Sequence, residues 1–185
     1  MSKHDIAEAA ARIMHDQCLQ DYGLAKRKAL EALSLPAHSA LPENQLINAA
    51  LQEHMALFAT AADHEWTEKL IEAAKQASIF LANFPHYIGG SLAFKAAKQE
   101  DRLEIHLYDD TPESLLWQLQ DHGIPYREQE RIVRINRNTE VSYPCFSFVA
   151  NDVPVSITVF PDSRPRPRPC DIDGSPLPRI KQGKH

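Results

Sequence analysis

The chain is short of cysteine, of long apolar runs and of excess positive charge, and each shortage removes a class of protein. Three cysteines occur in 185 residues, Cys18, Cys145 and Cys170, and none stands near another. That spacing supports neither a disulfide framework nor a zinc knuckle. No apolar stretch approaches the roughly 20 residues that a membrane-spanning helix needs. The opening MSKHDIAEAA carries an acid early and has no apolar core, unlike a secretory signal. The expectation is a cytoplasmic protein with no membrane partner. The formal net charge is −5, so the molecule as a whole does not attract nucleic acid or anionic lipid, and only a local basic patch could do so.

Several catalytic motifs are missing too. There is no Walker loop, no dinucleotide fingerprint and no nucleophile elbow. The nine histidines never fall at H-x-H or H-x-x-x-H spacing beside acids, and HEWTE lacks the second histidine of a zinc-protease helix. Cys145 lies within a strand pattern and reads as a small core residue.

What is present is ordinary for a globular chain: 43% hydrophobic and 24% charged residues. The length suits one domain with an appendage. Residues 1–84 read as helices. Ile6, Ala10, Ile13 and Met14 recur at helical spacing, as do Tyr22, Ala25, Ala29 and Leu33 after them. Pro36 and Pro42 interrupt the chain. Ile47, Leu51, Met55 and Phe58 then mark a third helix, and Trp66, Leu70, Ala73, Ala77 and Leu81 a fourth. Trp66 and Trp117 sit on apolar helical faces and are expected in the core.

At Phe84 the period changes. HYIGG reads as a short strand ending in a glycine turn. RLEIHLY alternates, with Leu103, Ile105 and Leu107 on one face and Glu104, His106 and Tyr108 on the other. The segment after it predicts a helix with Thr111 as cap, Pro112 at its first position and Gly123 at its end. REQERIVRIN, PCFSFVAN and VPVSITVFP are strands, with a tight hairpin at Asn151–Asp152. From Asp162 the composition shifts to alternating Arg and Pro, which favours an extended backbone. The expected organisation is therefore an α+β protein, with a helical region over 1–84, an α+β core over 85–161 and an extended tail over 162–185.

The order of Gly89-Gly90-Ser91, the helix-like LAFKAAKQ and the strand Leu103 to Tyr108 resembles the core of the polymerase-beta-like nucleotidyltransferase superfamily. DYGLAKRKAL, IHLYDDTPES, ITVFP and DGSPLPR extend the resemblance to small bacterial nucleotidyltransferase-like proteins with degenerate active sites. In that superfamily a Gly-Ser turn approaches the triphosphate, and carboxylates on neighbouring strands hold two Mg²⁺ ions that bridge the reacting oxygens. The resemblance implies phosphate contacts at Gly89, Gly90 and Ser91. It places Glu104 at the first acid position, His106 at the second and Ser156 at the third. Imidazole is a poor ligand for Mg²⁺ and serine carries no charge, so two of three metal-binding acids are absent.

The expectation is a catalytically degenerate protein that binds nucleotide or RNA, with no cofactor. Two alternatives stand beside it. One is an active Mg²⁺-dependent nucleotidyltransferase that joins Glu104 to acids such as Asp101, Asp109 or Asp171. The other is an adaptor for a protein partner. On the residues alone, Glu104, His106 and Tyr108 also read as a solvated strand face, Gly89-Gly90 as a plain turn and Asp171-Ile172-Asp173-Gly174 as an Asp-Gly turn. Lys26, Arg27 and Lys28 on the second helix, and Arg164, Arg166 and Arg168 spaced like a comb in the tail, are candidate nucleic-acid contacts. A solvated helix face and a self-wrapping or disordered tail are the plainer readings of those two groups.

Overall fold

The computed structural model describes residues 1–181; the last four residues of the expected tail lie outside the described residues. Four helices come first: α1 (Lys3–Asp16), α2 (Tyr22–Ala32), α3 (Asn44–Phe58) and α4 (Ala61–Phe80). Their starts are written locally. Ser2 caps α1 by accepting from the Asp5 amide, while the Asp5 carboxylate accepts from the Ser2 amide, and Thr60 with Asp63 repeats this box at α4. Asp21 caps α2 through the Leu24 amide at 2.8 Å.

The remainder is β1 (His86–Gly89), the single turn α5 (Gly90–Ala93), β2 (Leu103–Tyr108), α6 (Glu113–Asp121), β3 (Arg127–Asn136), β4 (Thr139–Ala150), β5 (Val153–Phe160) and β6 (Ile180–Lys181). Among the described residues these form an α+β arrangement with one mixed sheet in the order β3-β4-β5-β2-β1-β6. All strand pairs are antiparallel except β2 with β5. Asn151 and Asp152 both take positive φ, which makes the two-residue turn between β4 and β5. No helix among the described residues is long and apolar enough to cross a membrane.

Two apolar clusters organise the packing. Helices α1, α2 and α3 share one, built from Ala10, Met14, Ala25, Ile47 and Leu51 and joined by Phe94. Helices α4 and α6 cover one face of the sheet, where Leu70, Leu81, Leu115 and Leu119 meet Leu103, Ile105, Leu107, Val155 and Ile157. The alternation of β2 thus buries its odd positions under helices.

Some local expectations shift. LAFKAAKQ forms only one helical turn, because Lys95 adopts positive φ and stops it. Pro112 occupies the cap position of α6, its carbonyl accepting from the Leu116 amide at 3.0 Å, so Thr111 is not the cap. Gly123 does end α6, with φ +64. Trp66 packs against the sheet cluster, but Trp117 is 61% exposed and not in the core. Position 117 is turned about 200° from Leu115 around the helix, and α6 buries only its Leu115–Leu119 stripe.

The described part of the tail lies back on the other face of the sheet. The Tyr108 hydroxyl donates to the Pro167 carbonyl at 2.6 Å and accepts from Arg179 at 3.1 Å. Arg166 stacks on the Tyr108 ring and Arg179 on the Tyr87 ring. The Cys170 amide donates to the Arg134 carbonyl, and β6 adds itself to the edge of β1. Tyr108→Phe would leave two of these partners unsatisfied. It is expected to lower unfolding free energy by about 1–2 kcal/mol in urea titration; unchanged stability would show that the tail is not docked through this hydroxyl.

Candidate functional site

The parallel register of β2 and β5 sets Glu104 directly opposite Ser156 and His106 opposite Thr158. On the other side, β1 sets Gly89 opposite Glu104. The three positions implied for metal-binding acids therefore belong to one sheet face, next to the glycine turn. They do not share one environment.

Glu104 and Ser156 line an open polar cleft of about 470 Å³ together with Arg102, Glu130 and Arg131. The Glu104 carboxylate is mostly covered, with 13% of its side chain exposed, and Arg131 donates to it at 3.1 Å from edge strand β3. Glu130 accepts from the Ser142 hydroxyl at 2.8 Å. Ser156 is buried at the cleft floor, its Oγ 3.1 Å from Cys145 Sγ.

His106 is buried outside this cleft, which corrects the expectation of a solvated face at Glu104, His106 and Tyr108. His106 is 7% exposed and Tyr108 1%. The His106 ring meets Phe160 edge-on, and Phe160 packs with Tyr108 and Tyr143. Burial, followed by the charges of Arg131, Arg179 and Arg168, lowers the imidazole pKa to about 3. The ring is neutral at physiological pH. Its Nδ1 has no hydrogen-bond partner among the described residues.

The glycine turn serves this packing. A side chain at Gly89 would place its Cβ 2.6 Å from His106 Cε1, and one at Gly90 would sit 2.7 Å from Glu104 Oε2. Gly90 also has φ +67, where a β-carbon is strained. Ser91 points elsewhere: it is buried, and it lines a separate cavity of about 40 Å³ with Met14, Phe94 and Lys98. Gly89, Gly90 and Ser91 are thus not gathered around one opening.

The alternative acids do not converge on Glu104. Asp101 accepts from the Lys98 amide and lines the Ser91 cavity. Asp109 follows the far end of β2, where its amide donates to the Phe160 carbonyl. Asp171 is buried, accepting from the Asp173 and Ser175 amides in the turn that its sequence suggested. Among the described residues, no group of three metal-competent side chains forms at the cleft.

The basic candidates are drawn largely into internal contacts. Arg27 pairs with Asp173 at 2.8 Å and Lys28 donates to the Gln17 side chain at 2.7 Å, while Lys26 is half-buried. Arg166 pairs with Asp162 at 2.6 Å and Arg168 donates to the Leu177 carbonyl, leaving Arg164 exposed. The tail arginines do not form a comb.

Arg131 and Arg102 escaped the sequence reading. REQERIVRIN shows that Arg131 alternates with Glu130, but nothing local shows that its guanidinium reaches across to β2. Compared with known protein families and with curated proteins, the chain matches none.

Two measurements check this geometry. The folded state binds the His106 proton less readily than the unfolded chain, so stability should fall as pH drops from about 6.5 towards about 3. His106→Leu should flatten that part of the urea-denaturation profile; an unchanged slope would show that His106 is not buried neutral. Gly90→Ala should cost about 1 kcal/mol or more through its positive φ and the Glu104 contact, read by thermal unfolding, and a neutral result would contradict the close approach.

Proposed function

We propose that the chain is a catalytically degenerate nucleotidyltransferase-like protein that binds a nucleotide phosphate in the Arg102–Arg131 cleft without Mg²⁺. The observation that carries this reading is the ion pair of Glu104 with Arg131. A carboxylate at the first acid position would normally face a metal ion, yet here its charge is met by a guanidinium. Ser156 beside it adds no charge, and His106 is neutral and buried. The two-metal clamp that stabilises charge developing on a transferred phosphoryl group thus lacks its ligands.

The reading is supported by the order of elements: glycine turn, one helical turn, β2, and a parallel β5 carrying the third position. It is supported also by the polar character of the cleft, where two arginines offer forked donors to phosphate oxygens. The helix basic cluster contributes less, since Arg27 and Lys28 are held by their own chain.

Calorimetric titration with ATP, in chelator and in Mg²⁺, tests the reading. Binding of similar affinity is expected in both, and Arg131→Ala should weaken it about tenfold or more. Labelled nucleotide should not be incorporated. Mg²⁺-dependent transfer lost in Glu104→Gln would establish the active enzyme instead. Absence of nucleotide binding would remove the cleft from consideration and leave the adaptor reading.

A further inference from the structure

Away from the cleft, α1 and α3 bring together a second group of titratable side chains. His15 and Asp16 close α1, and His54 lies near the end of α3, three residues beyond the buried Leu51. His15 Nδ1 is 2.9 Å from Asp16 Oδ1, and the rings of His15 and His54 meet edge-on with centroids 4.5 Å apart. One donor atom from each of the three residues lies within 4.8 Å of the other two.

We propose that His15, Asp16 and His54 form a binding site for a divalent transition-metal ion of the zinc class, with water completing the coordination. Two imidazole nitrogens and one carboxylate oxygen suit Zn²⁺, Co²⁺ or Ni²⁺ far better than Mg²⁺ or Ca²⁺. Bonds of about 2.0–2.1 Å in a tetrahedron place ligand atoms about 3.3 Å apart. The 2.9 Å pair and the 4.8 Å limit bracket that separation, so modest side-chain rotation closes the site. The backbones are already fixed, because Met14, Ile47 and Leu51 lock α1 to α3 in one cluster.

The protonation states are also favourable. Burial lowers the His54 pKa, with the neighbouring His15 adding to the effect and Arg12 and Lys98 acting the same way, against Asp16. The hydrogen bond from His15 lowers the Asp16 pKa. A neutral imidazole beside an ionised carboxylate is the form a metal takes up. On binding through Nδ1, the ion takes the ring lone pair and the proton shared with Asp16 moves to Nε2. Phe58 packs on the His54 ring and shields one side. Lys98, which donates to the His15 carbonyl, and Arg12 are the cations that oppose a second positive charge. The site joins the end of α1 to α3, so an ion there would fasten the helical cluster.

Titration of the full chain with Co²⁺ at neutral pH tests the proposal. One equivalent should bind and develop visible absorption bands, which Zn²⁺ abolishes and Mg²⁺ does not. His54→Gln and Asp16→Asn should each weaken binding about tenfold or more, while unfolding in chelator at the same temperature as the parent. Zn²⁺ should raise the melting temperature of the parent and not that of His54→Gln. Failure of the parent to bind one equivalent, or undiminished affinity in the variants, overturns the proposal. Should His54→Gln not fold, exposed Asp16→Asn decides by the same criterion.

Discussion

Glu104 stands beside Ser156 because β2 and β5 run parallel in the middle of the sheet. That pairing is demanding. Two parallel strands cannot be joined by a hairpin, so the chain leaves β2 through α6, makes the β3–β4 meander and returns. Helix α6 is thereby laid on the same face as α4, and Leu115 and Leu119 find Leu103, Ile105 and Leu107 beneath them. The meander places β3 at the sheet edge, from which Arg131 reaches Glu104. Cleft, apolar layer and edge strand all follow from one register. A slip of β2 by one residue would turn Leu103, Ile105 and Leu107 away from the helices that cover them.

The opposite face is divided by the tail. Near the C-terminal end of β2, Tyr108, Phe160 and Tyr143 form an aromatic surface on which Pro167, Arg166 and Arg179 settle. Arginine suits this role, since its weakly hydrated plane stacks on rings while its edges still donate hydrogen bonds. Near the N-terminal end of β2, no such aromatic layer forms among the described residues, and Glu104 and Ser156 stay beside an opening. His106 lies on the dry side of that division, which is why its proton affinity falls so far.

Much of the fold was legible because its signals are local. The alternation of Leu103 to Tyr108, the Asn151–Asp152 turn and the stop at Gly123 each depend on a few neighbouring residues. Trp117 was misplaced for an equally local reason: an apolar residue beside an apolar stripe is not on it. The site was harder to read. Sequence alternation puts Glu104 and His106 on one face but says nothing of what covers that face, and the cover comes from residues some 60 positions later. Likewise His15 and His54 show no metal spacing along the chain, although Ile47, Leu51 and His54 follow a helical stripe that points His54 towards α1.

The neutrality of His106 and the docking of the tail are physically linked. A carboxylate pair loaded with metal needs water and substrate within reach, and burying it against aromatic rings, as His106 is buried against Phe160, would carry a large desolvation cost. A neutral imidazole can be buried for far less, even with Nδ1 unpaired among the described residues. Among the described residues of this face, the Glu104 end is the part that borders an open cleft. For a phosphate to be held there, Arg131 must either share its fork between Glu104 and the newcomer or turn away from Glu104. Sharing keeps the carboxylate neutralised while giving the newcomer a donor, whereas turning away strands a largely buried charge. Arg102, on the same rim, would give such a phosphate a second donor that costs Glu104 nothing. The balance of these terms favours a ligand that enters beside the Glu104–Arg131 pair rather than one that breaks it.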